Sequence, residues 1–341
     1  MSSSTPLSTT SVAAEDQGGG TAIITAIHPD IIQSHILNRL DGPTLASTAC
    51  ASAQLLSLCN DDCLWKDICN STWPSTTDPR VRDAIAAFPS AHRSFYSDAF
   101  PALRHHQPCR ETHQNRLPDT VELISAVDIY YEDKLIYSKI LVTETLSAWF
   151  LSTPFRLELL DPKETVPTPL KFDDGTFIAR AEERLRVSWI LIDPVKRRAV
   201  NLASRKAVEA RRHWLTDDIK LRYATVVEDG GGGLVQCAVV VTCGGKEHGE
   251  EVRVREVSMH VEEMEGKIVA GMDCLGILGA AMEGQRRRSD GKREKEIYEI
   301  FLRVKAGCRE RKQRREKGLD MVCISTGILI FFAICIFLVW R

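Results

Sequence analysis

The feature that most constrains this chain of 341 residues is an uncharged run of 20 residues at positions 321–340. At the rise of an α-helix, such a run is about 30 Å long, which matches the hydrocarbon core of a bilayer. A buried helix of a soluble protein usually keeps a polar stripe, and this run carries no charge on any face. The sequence therefore predicts one transmembrane helix over residues 321–340, anchored by these side chains: Ile324, Ile328, Phe331, Phe332, Ile336 and Trp340.

A strongly basic stretch precedes the apolar run. Residues 286–317 contain 14 Lys or Arg and 6 Asp or Glu, whereas the whole chain has a net charge of −2. Basic residues beside a span favour the cytosolic side of a membrane and attract anionic lipid. A nucleic-acid patch or nuclear import signal is the alternative interpretation, but the adjoining span favours the membrane, and we expect no nucleic-acid partner.

The N-terminal residues lack a targeting signal. Residues 1–20 are rich in Ser, Thr and Gly and have neither the apolar core of a signal peptide nor the arginines of a transit peptide. We therefore expect a tail-anchored, single-pass membrane protein whose body faces the cytosol. The endoplasmic reticulum is the expected membrane, with a nuclear pool as an addition, and the eleven cysteines are expected to be reduced.

Composition divides the rest of the chain into segments. A polar tail, expected to be disordered, covers residues 1–22, and a compact helical region follows over residues 24–72. Residues 73–118 are predicted to be a helical extension and linker, residues 119–285 a β-rich domain, and residues 286–320 a basic linker and helix. The predicted fold class is α+β, in which helices precede an antiparallel, sandwich-like β domain, a basic helix and the transmembrane helix.

Apolar spacing predicts the helices of the N-terminal region. Asp30 is predicted to cap a helix with three apolar residues on one face: Ile32, Ile36 and Leu40. Thr44 is predicted to cap the next helix, which carries Leu45, Ala49, Leu55, Leu56 and Leu58. A third helix begins at Leu64, Trp65 and Ile68, and two more are predicted at residues 80–87 and 92–99.

Short runs of β-branched and aromatic residues predict the strands. Residues 121–130 and 135–142, joined by a short polar turn, are typical of a hairpin. A helix is predicted at 274–282, and a basic helix follows with an apolar stripe of Ile297, Ile300, Phe301, Val304 and Cys308. The other predicted strands are 155–160, 185–192, 198–203, 219–227, 234–242 and 251–261.

The segment from His28 to Cys69 resembles an F-box. Members of that family typically open with Leu-Pro, continue with an Ile-Leu-x-x-Leu helix and end in a Leu-Trp pair. This sequence has His28 in place of the opening Leu, and Leu55 where many members have an aromatic residue. The matching residues are His28-Pro29-Asp30-Ile31-Ile32, Ile36-Leu37-Asn38-Arg39-Leu40-Asp41-Gly42-Pro43-Thr44-Leu45, Ala49-Cys50 and Leu64-Trp65-Lys66-Asp67-Ile68-Cys69.

The resemblance implies a partner. F-box proteins bind a Skp1-type adaptor, which links them to a cullin–RING ubiquitin ligase. By resemblance, Leu64 and Trp65 would hold the third helix in place, and five residues would contact the adaptor: Pro29, Ile32, Ile36, Leu40 and Leu45. The alternative is that these residues simply form the core of a helical domain.

The resemblance continues beyond the F-box, into a plant subfamily with a β-rich region and, in some members, a C-terminal membrane helix. It is carried by residues 88–101, Leu123 to Tyr131, Trp149-Phe150 with Pro154-Phe155-Arg156, and residues 212–215. In F-box proteins generally, the region after the F-box recruits the substrate protein. The resemblance therefore implies a membrane-tethered substrate receptor of an SCF-type (Skp1–cullin–F-box) ligase, with an unknown protein substrate.

No motif in the sequence indicates catalysis, a metal or a cofactor. Phosphate loops, nucleophile elbows and dinucleotide fingerprints are absent, so we expect no enzymatic activity and no cofactor. His105, His106, Cys109 and His113 could bind zinc, but their spacing fits no standard site and a polar linker is favoured. The alternative function is a tail-anchored scaffold or lipid-handling protein, with a closed apolar cavity in residues 121–285 and no ligase association.

Overall fold

The computed structural model describes residues 28–100, 102–103, 120–172, 176–229, 233–245, 251–284, 286–287 and 291–341. The chain divides into two compact units, residues 1–64 and residues 65–341. The predicted tail at 1–22 and the four candidate zinc ligands lie outside the described residues.

Short helices make up the described part of the first unit. The first is a helical turn that continues as a π-helix and then a 3-10 turn. The last helix begins here and extends into the second unit. In chain order they are α1 (Pro29–Ile31), the π-helix Ile32–Ile36, the 3-10 turn Leu37–Arg39, α2 (Gly42–Ala49), α3 (Ala53–Cys59) and α4 (Asp62–Thr72).

The helix caps differ from the predicted ones. The side chain of His28, not Asp30, caps α1, and that of Asp41, not Thr44, caps α2 by accepting from the Thr44 backbone N–H at 3.0 Å. The helix predicted across Leu45–Leu58 is two helices, because Ser52 accepts from the Leu55 N–H at 3.2 Å and starts α3. Side-chain oxygens here bond to backbone N–H groups and so set where each helix begins. The spacing of apolar residues does not predict these bonds.

The second unit combines helices with antiparallel strands. Its helices are the 3-10 turn Pro74–Thr77, α5 (Pro79–Ala86), α6 (Ala91–Ala99), α7 (Ala148–Ser152), α8 (Phe177–Arg184), α9 (Gly271–Glu283) and α10 (Gly291–Trp340). Its strands are β1 (Ala102–Leu103), β2 (Glu122–Tyr131), β3 (Lys134–Glu144), β4 (Arg156–Glu158), β5 (Val166–Lys171), β6 (Leu185–Asp193), β7 (Arg198–Asn201), β8 (Glu209–Arg212), β9 (Ile219–Glu228), β10 (Leu234–Gly244), β11 (Glu251–Glu263) and β12 (Arg286–Arg287).

Two sheets share one hydrophobic core. The smaller sheet has the order β3-β2-β6-β7, and the larger has the order β4-β11-β10-β9-β8, with β5 also paired to β11. Alternate side chains from both sheets meet in a single cluster that includes Val127, Trp189, Tyr223, Val239 and Val257. Each of these five side chains is completely buried. The predicted α+β class with an antiparallel, sandwich-like domain is confirmed.

Four strands were missed by the sequence analysis: the two-residue strands β1 and β12, and the longer strands β5 and β8. β5 contains Pro167 and Pro169, and proline lowers the strand signal because it cannot donate to a ladder. The structure accommodates it by pairing β5 only with the first residues of β11. β8 is a short, highly charged strand, Glu-Ala-Arg-Arg, without the alternation that predicts a strand.

The long helix α10 packs on the larger sheet through a different face from the predicted one. Phe301 is buried as expected, but Ile300 and Val304 are exposed, and Tyr298 and Lys305 take the buried positions. Tyr298 packs against Val208 and Ala224, while Lys305 donates to Glu262 at 2.6 Å. A prediction from apolar residues alone places lysine outside the core. Here the aliphatic stem of Lys305 is buried and its charge is paired with Glu262.

A buried carboxylate ties the 3-10 turn to the smaller sheet. Asp128 on β2 is fully buried and accepts from the Ser75 N–H at 3.0 Å, the Ser75 hydroxyl at 2.5 Å and the Ser138 hydroxyl at 2.7 Å. Burial raises the pKa of Asp128, and the hydrogen bonds from Ser75 and Ser138 oppose that rise. The charged form therefore costs desolvation that a neutral side chain of the same shape would avoid.

The Asp128→Asn substitution is expected to leave the free energy of unfolding at pH 7 unchanged or higher, whereas Asp128→Ala should lower it by about 2–3 kcal/mol. Asn keeps hydrogen-bond partners for Ser75 and Ser138, and Ala leaves them unpaired. Because the folded-state pKa is raised, the stabilisation from Asp128 falls as pH rises through that pKa, and Asn removes this dependence. Urea unfolding of the detergent-solubilised chain measures both variants, and an alanine variant as stable as wild type would contradict the expectation.

His260 lies buried on the outer face of the larger sheet. Its pKa is lowered to about 4, mainly by burial and also by the charges of Arg222, Arg156 and Lys305, against an opposing effect of Glu262. The histidine is therefore neutral in the folded protein at pH 7. In the unfolded chain it would take up a proton near pH 6.5.

Stability is consequently expected to fall as pH drops from about 6.5 toward 4, because the unfolded state binds a proton that the folded state rejects. The contribution of His260 to the difference between pH 7 and pH 4.5 is about 2 kcal/mol. Urea unfolding at these two pH values measures it, with His260→Gln as the comparison. A variant that loses as much stability as wild type over this interval would show that His260 is not the cause.

Candidate functional site

The seven residues that the resemblance assigns to the F-box fall into two groups. Four are buried, namely Ile32, Leu45, Leu64 and Trp65. The other three reach solvent: Pro29 and Ile36 are exposed, and Leu40 is half-buried. The buried residues can act on a partner only by shaping the surface, whereas the exposed ones can contact it directly.

A π-helix decides which side chains of the first helical segment point outward. The Leu37 backbone N–H bonds to the carbonyl of Ile32, five residues earlier. Ile32 and Leu37 are accordingly both buried, while Ile36 is 45% exposed. The four-residue spacing predicted for Ile32, Ile36 and Leu40 is wrong for this segment, because the π-helix shifts the repeat to five residues.

Further apolar side chains of the first unit are exposed. Ile31 on α1 is 49% exposed and Leu56 on α3 is 40% exposed, and the sequence analysis assigned neither to the site. A soluble surface tolerates single apolar residues, but several on three short helices are typical of a surface that meets a partner.

Hydrogen bonds fix the turn that precedes α4. The Gln33 amide donates to Asp61, which joins the first helical segment to this turn. The other carboxylate oxygen of Asp61 accepts from the Cys63 N–H at 3.0 Å, close to the start of α4. The ends of the F-box segment are thereby held together by side chains that carry no apolar signal in the sequence.

Trp65 belongs to an aromatic cluster of the second unit. Its ring centroid lies 5.3 Å from that of Tyr96 on α6, and Trp73 packs on the same ring at 5.5 Å and on Phe95 at 5.8 Å. Such pairs add stabilisation beyond the area that they bury. The tryptophan of the Leu-Trp pair therefore fastens α4 to the helix α6.

The six predicted anchor residues lie on the last part of α10. All of them are exposed, from 51% for Ile328 to 88% for Trp340. α10 is the one helix in the described part of the chain that is long and apolar enough to cross a membrane. Exposed apolar side chains along the whole run are what a lipid-facing helix requires.

No metal site is apparent among the residues that the structure describes. They contain no group of three or more His, Cys, Asp or Glu side chains placed to hold a metal ion. The ten described cysteines are free thiols. Burial raises the pKa of Cys237 and of Cys243 to about 12, so neither is a nucleophile at neutral pH.

Comparison with known proteins extends the F-box assignment to most of the chain. F-box protein At2g27310 of Arabidopsis thaliana is 44% identical over 335 residues, which cover 93% of this chain and 97% of the relative. F-box protein At3g44326 is 39% identical, covering 97% and 95%, and Probable F-box protein At2g36090 is 41% identical, covering 94% and 95%, both also from Arabidopsis thaliana.

Two other comparisons gave no match. No family model matches the chain, and no solved structure matches it. The three relatives nevertheless align along 93–97% of the chain, so the similarity includes both the helical and the β-rich regions. The F-box pattern at residues 28–69, the helices that it forms and these full-length relatives agree, and the chain belongs to the plant F-box protein family.

Proposed function

We propose that this protein is the substrate-recognition subunit of an SCF-type E3 ubiquitin ligase, held at a membrane by its C-terminal helix. The observation that carries the proposal is the division of the F-box residues into a buried set and an exposed set. Ile32, Leu45 and Trp65 are buried, and Pro29, Ile36 and Leu40 remain accessible to a Skp1-type adaptor.

The β-rich region is proposed to select the substrate protein. It contributes most of the second unit and contains no catalytic motif, which suits a subunit that performs no bond chemistry. Its effect would be to raise the concentration of the target near the ubiquitin-loaded enzyme. The identity of that target is open.

The course of α10 supports the proposed membrane tether. Lys312 is paired with Glu265 at 2.8 Å, so the helix still contacts the β-rich region there. The apolar run begins at Met321, nine residues or about 14 Å further along the helix axis. An unbroken helix would hold the β-rich region close to the bilayer, and the basic residues before the run favour a cytosolic body. The endoplasmic reticulum is the proposed membrane, since the span is long enough for it and a single charge, Arg341, follows the span.

The scaffold or lipid-handling alternative predicts a closed apolar cavity within residues 121–285. One cleft among the described residues is open, lined largely by charged side chains and bounded in part by α10, so it is not the cavity that this alternative requires.

The test is direct binding of the full-length chain, reconstituted in lipid nanodiscs, to a purified Skp1-type adaptor. We expect saturable one-to-one binding and co-purification of a cullin when the adaptor is present. Folding of the chain is established separately by circular dichroism. A folded chain that binds no Skp1-type adaptor would contradict the proposal.

A further inference from the structure

A cleft of about 580 Å³, lined mostly by charged residues, lies between the outer face of the larger sheet and α10. Strands β8 to β11 supply one wall, and residues from Tyr298 to Gln313 of α10 supply the other. This volume is that of a small-molecule site. Neither the adaptor-binding helices nor the membrane span contributes to it.

The base of the cleft contains an unsatisfied hydrogen-bond acceptor. Both oxygens of Glu262 are occupied, one by Lys305 Nζ at 2.6 Å and the other by Gln236 Nε2 at 2.7 Å. Gln236 is 1% exposed, and its Oε1 has no hydrogen-bond partner among the described residues. Turning the amide over would lose the bond to Glu262, so Oε1 stays an acceptor in need of a donor.

The cleft also carries positive charge that its own carboxylates leave unneutralised. Five Lys or Arg and three Glu line it. Glu209 is engaged by Arg211, Arg222 and the Tyr298 hydroxyl, and Glu262 by Lys305. Two of the lining cations, Arg309 and Lys220, have no ion-pair partner within the described ranges.

Arg309 lies at the same end of the cleft as Gln236. It follows Lys305 by one helical turn, and Lys305 contacts Glu262, whose register partner on β10 is Gln236. The Arg309 guanidinium also approaches Gly266, where an added Cβ would come within 2.8 Å of Nη2. Lys220 is at the other end, because six residues of β9, about 20 Å, separate it from the partner of Gln236.

We propose that this cleft binds a phosphorylated polyol, with its phosphate on Arg309 and one of its hydroxyl groups donating to Gln236 Oε1. Guanidinium groups bind phosphate through two parallel hydrogen bonds, and the remaining charge of Lys220 favours an anion. A polyol supplies the donor that Gln236 lacks, which a carboxylate or a bare phosphate dianion cannot do.

Such a ligand has two sources, a free sugar or inositol phosphate and the headgroup of a phosphorylated inositol lipid. The lipid source is within reach, because Gln313 lines the cleft and Met321 begins the apolar run about 12 Å further along α10. The inference does not depend on adaptor binding.

The experiment titrates myo-inositol 1,4-bisphosphate into the full-length chain in phosphatidylcholine nanodiscs and measures binding by calorimetry. We expect saturable binding that Arg309→Gln weakens about tenfold or more. Gln236→Leu should weaken this probe about tenfold and leave binding of inorganic phosphate unchanged, since only the polyol has a hydroxyl to donate. Arg303→Gln removes the same charge from an exposed part of α10 outside the cleft and should change affinity less than twofold.

A second titration uses nanodiscs that contain phosphatidylinositol 4-phosphate. If the wild-type chain no longer binds the soluble probe in these nanodiscs, the lipid occupies the cleft, which supports the lipid source. The Arg309→Gln chain should then bind the probe in these nanodiscs as weakly as it does in phosphatidylcholine alone. Unchanged probe binding in these nanodiscs supports the free metabolite. The proposal is overturned if the folded wild-type chain binds neither probe nor lipid, or if Arg309→Gln and Gln236→Leu leave binding unchanged. Arg309 is exposed, so its replacement keeps the test valid even if the buried Gln236 variant fails to fold.

Discussion

Replacing Ile36 by Glu is expected to weaken binding of a Skp1-type adaptor by at least about 30-fold, and adding Leu40→Glu should abolish detectable binding. Ile36 is 45% exposed, so a charge there stays hydrated in the free protein and costs little folding stability. In the complex the same carboxylate would be buried against an apolar partner surface without a counter-charge. Surface plasmon resonance with immobilised adaptor measures the loss.

The matched control for this prediction is Val195→Glu. Val195 is 50% exposed, lies in the turn after β6, and is outside the F-box segment. It introduces the same side chain in place of an apolar one and should leave adaptor affinity within twofold. Equal binding by wild type and the Ile36→Glu variant would place the adaptor elsewhere on the protein.

The comparison of Ile36 with Ile32 shows how far the sequence alone predicts this site. The F-box pattern locates the helices correctly, because its order of apolar residues and helix-breaking residues is local. It does not tell an exposed isoleucine from a buried one, since that depends on the π-helical turn from Ile32 to Ile36. The four-residue repeat placed Ile32 and Ile36 on the same helix face. It did not include Leu37, which is buried.

In the β domain, too, the sequence predicts some elements and misses others. Long strands with buried, β-branched side chains, such as β9, β10 and β11, are predicted almost in full, because their pattern is produced by the core itself. Formation of the proline-containing β5 and the charged β8 depends on pairing with β11 and β9. The residues of β5 and β8 alone do not indicate that pairing. The pairing of Lys305 with Glu262 is likewise decided by tertiary structure.

The largest expected effect on the whole protein concerns its location. Placing arginine at both Ile328 and Phe332 is expected to move the chain from the carbonate-resistant membrane fraction to the soluble fraction. Both positions are near the middle of the apolar run and are exposed on α10. Each arginine at the centre of a span costs about 2.5–3.5 kcal/mol of insertion free energy, so the pair removes about 5–7 kcal/mol.

The control replaces the same two residues by leucine, which keeps the segment apolar and should leave the protein in the membrane fraction. Removal of residues 321–341 should release the chain in the same way as the two arginines. Because the exposed residues Pro29, Ile36 and Leu40 belong to the first unit and the anchor belongs to the second, both soluble forms should bind the adaptor within twofold of wild type. A double-arginine variant that resists carbonate extraction would show that something other than this helix holds the protein at the membrane. A soluble form that has lost adaptor binding while remaining folded would show instead that recognition requires the membrane-bound state.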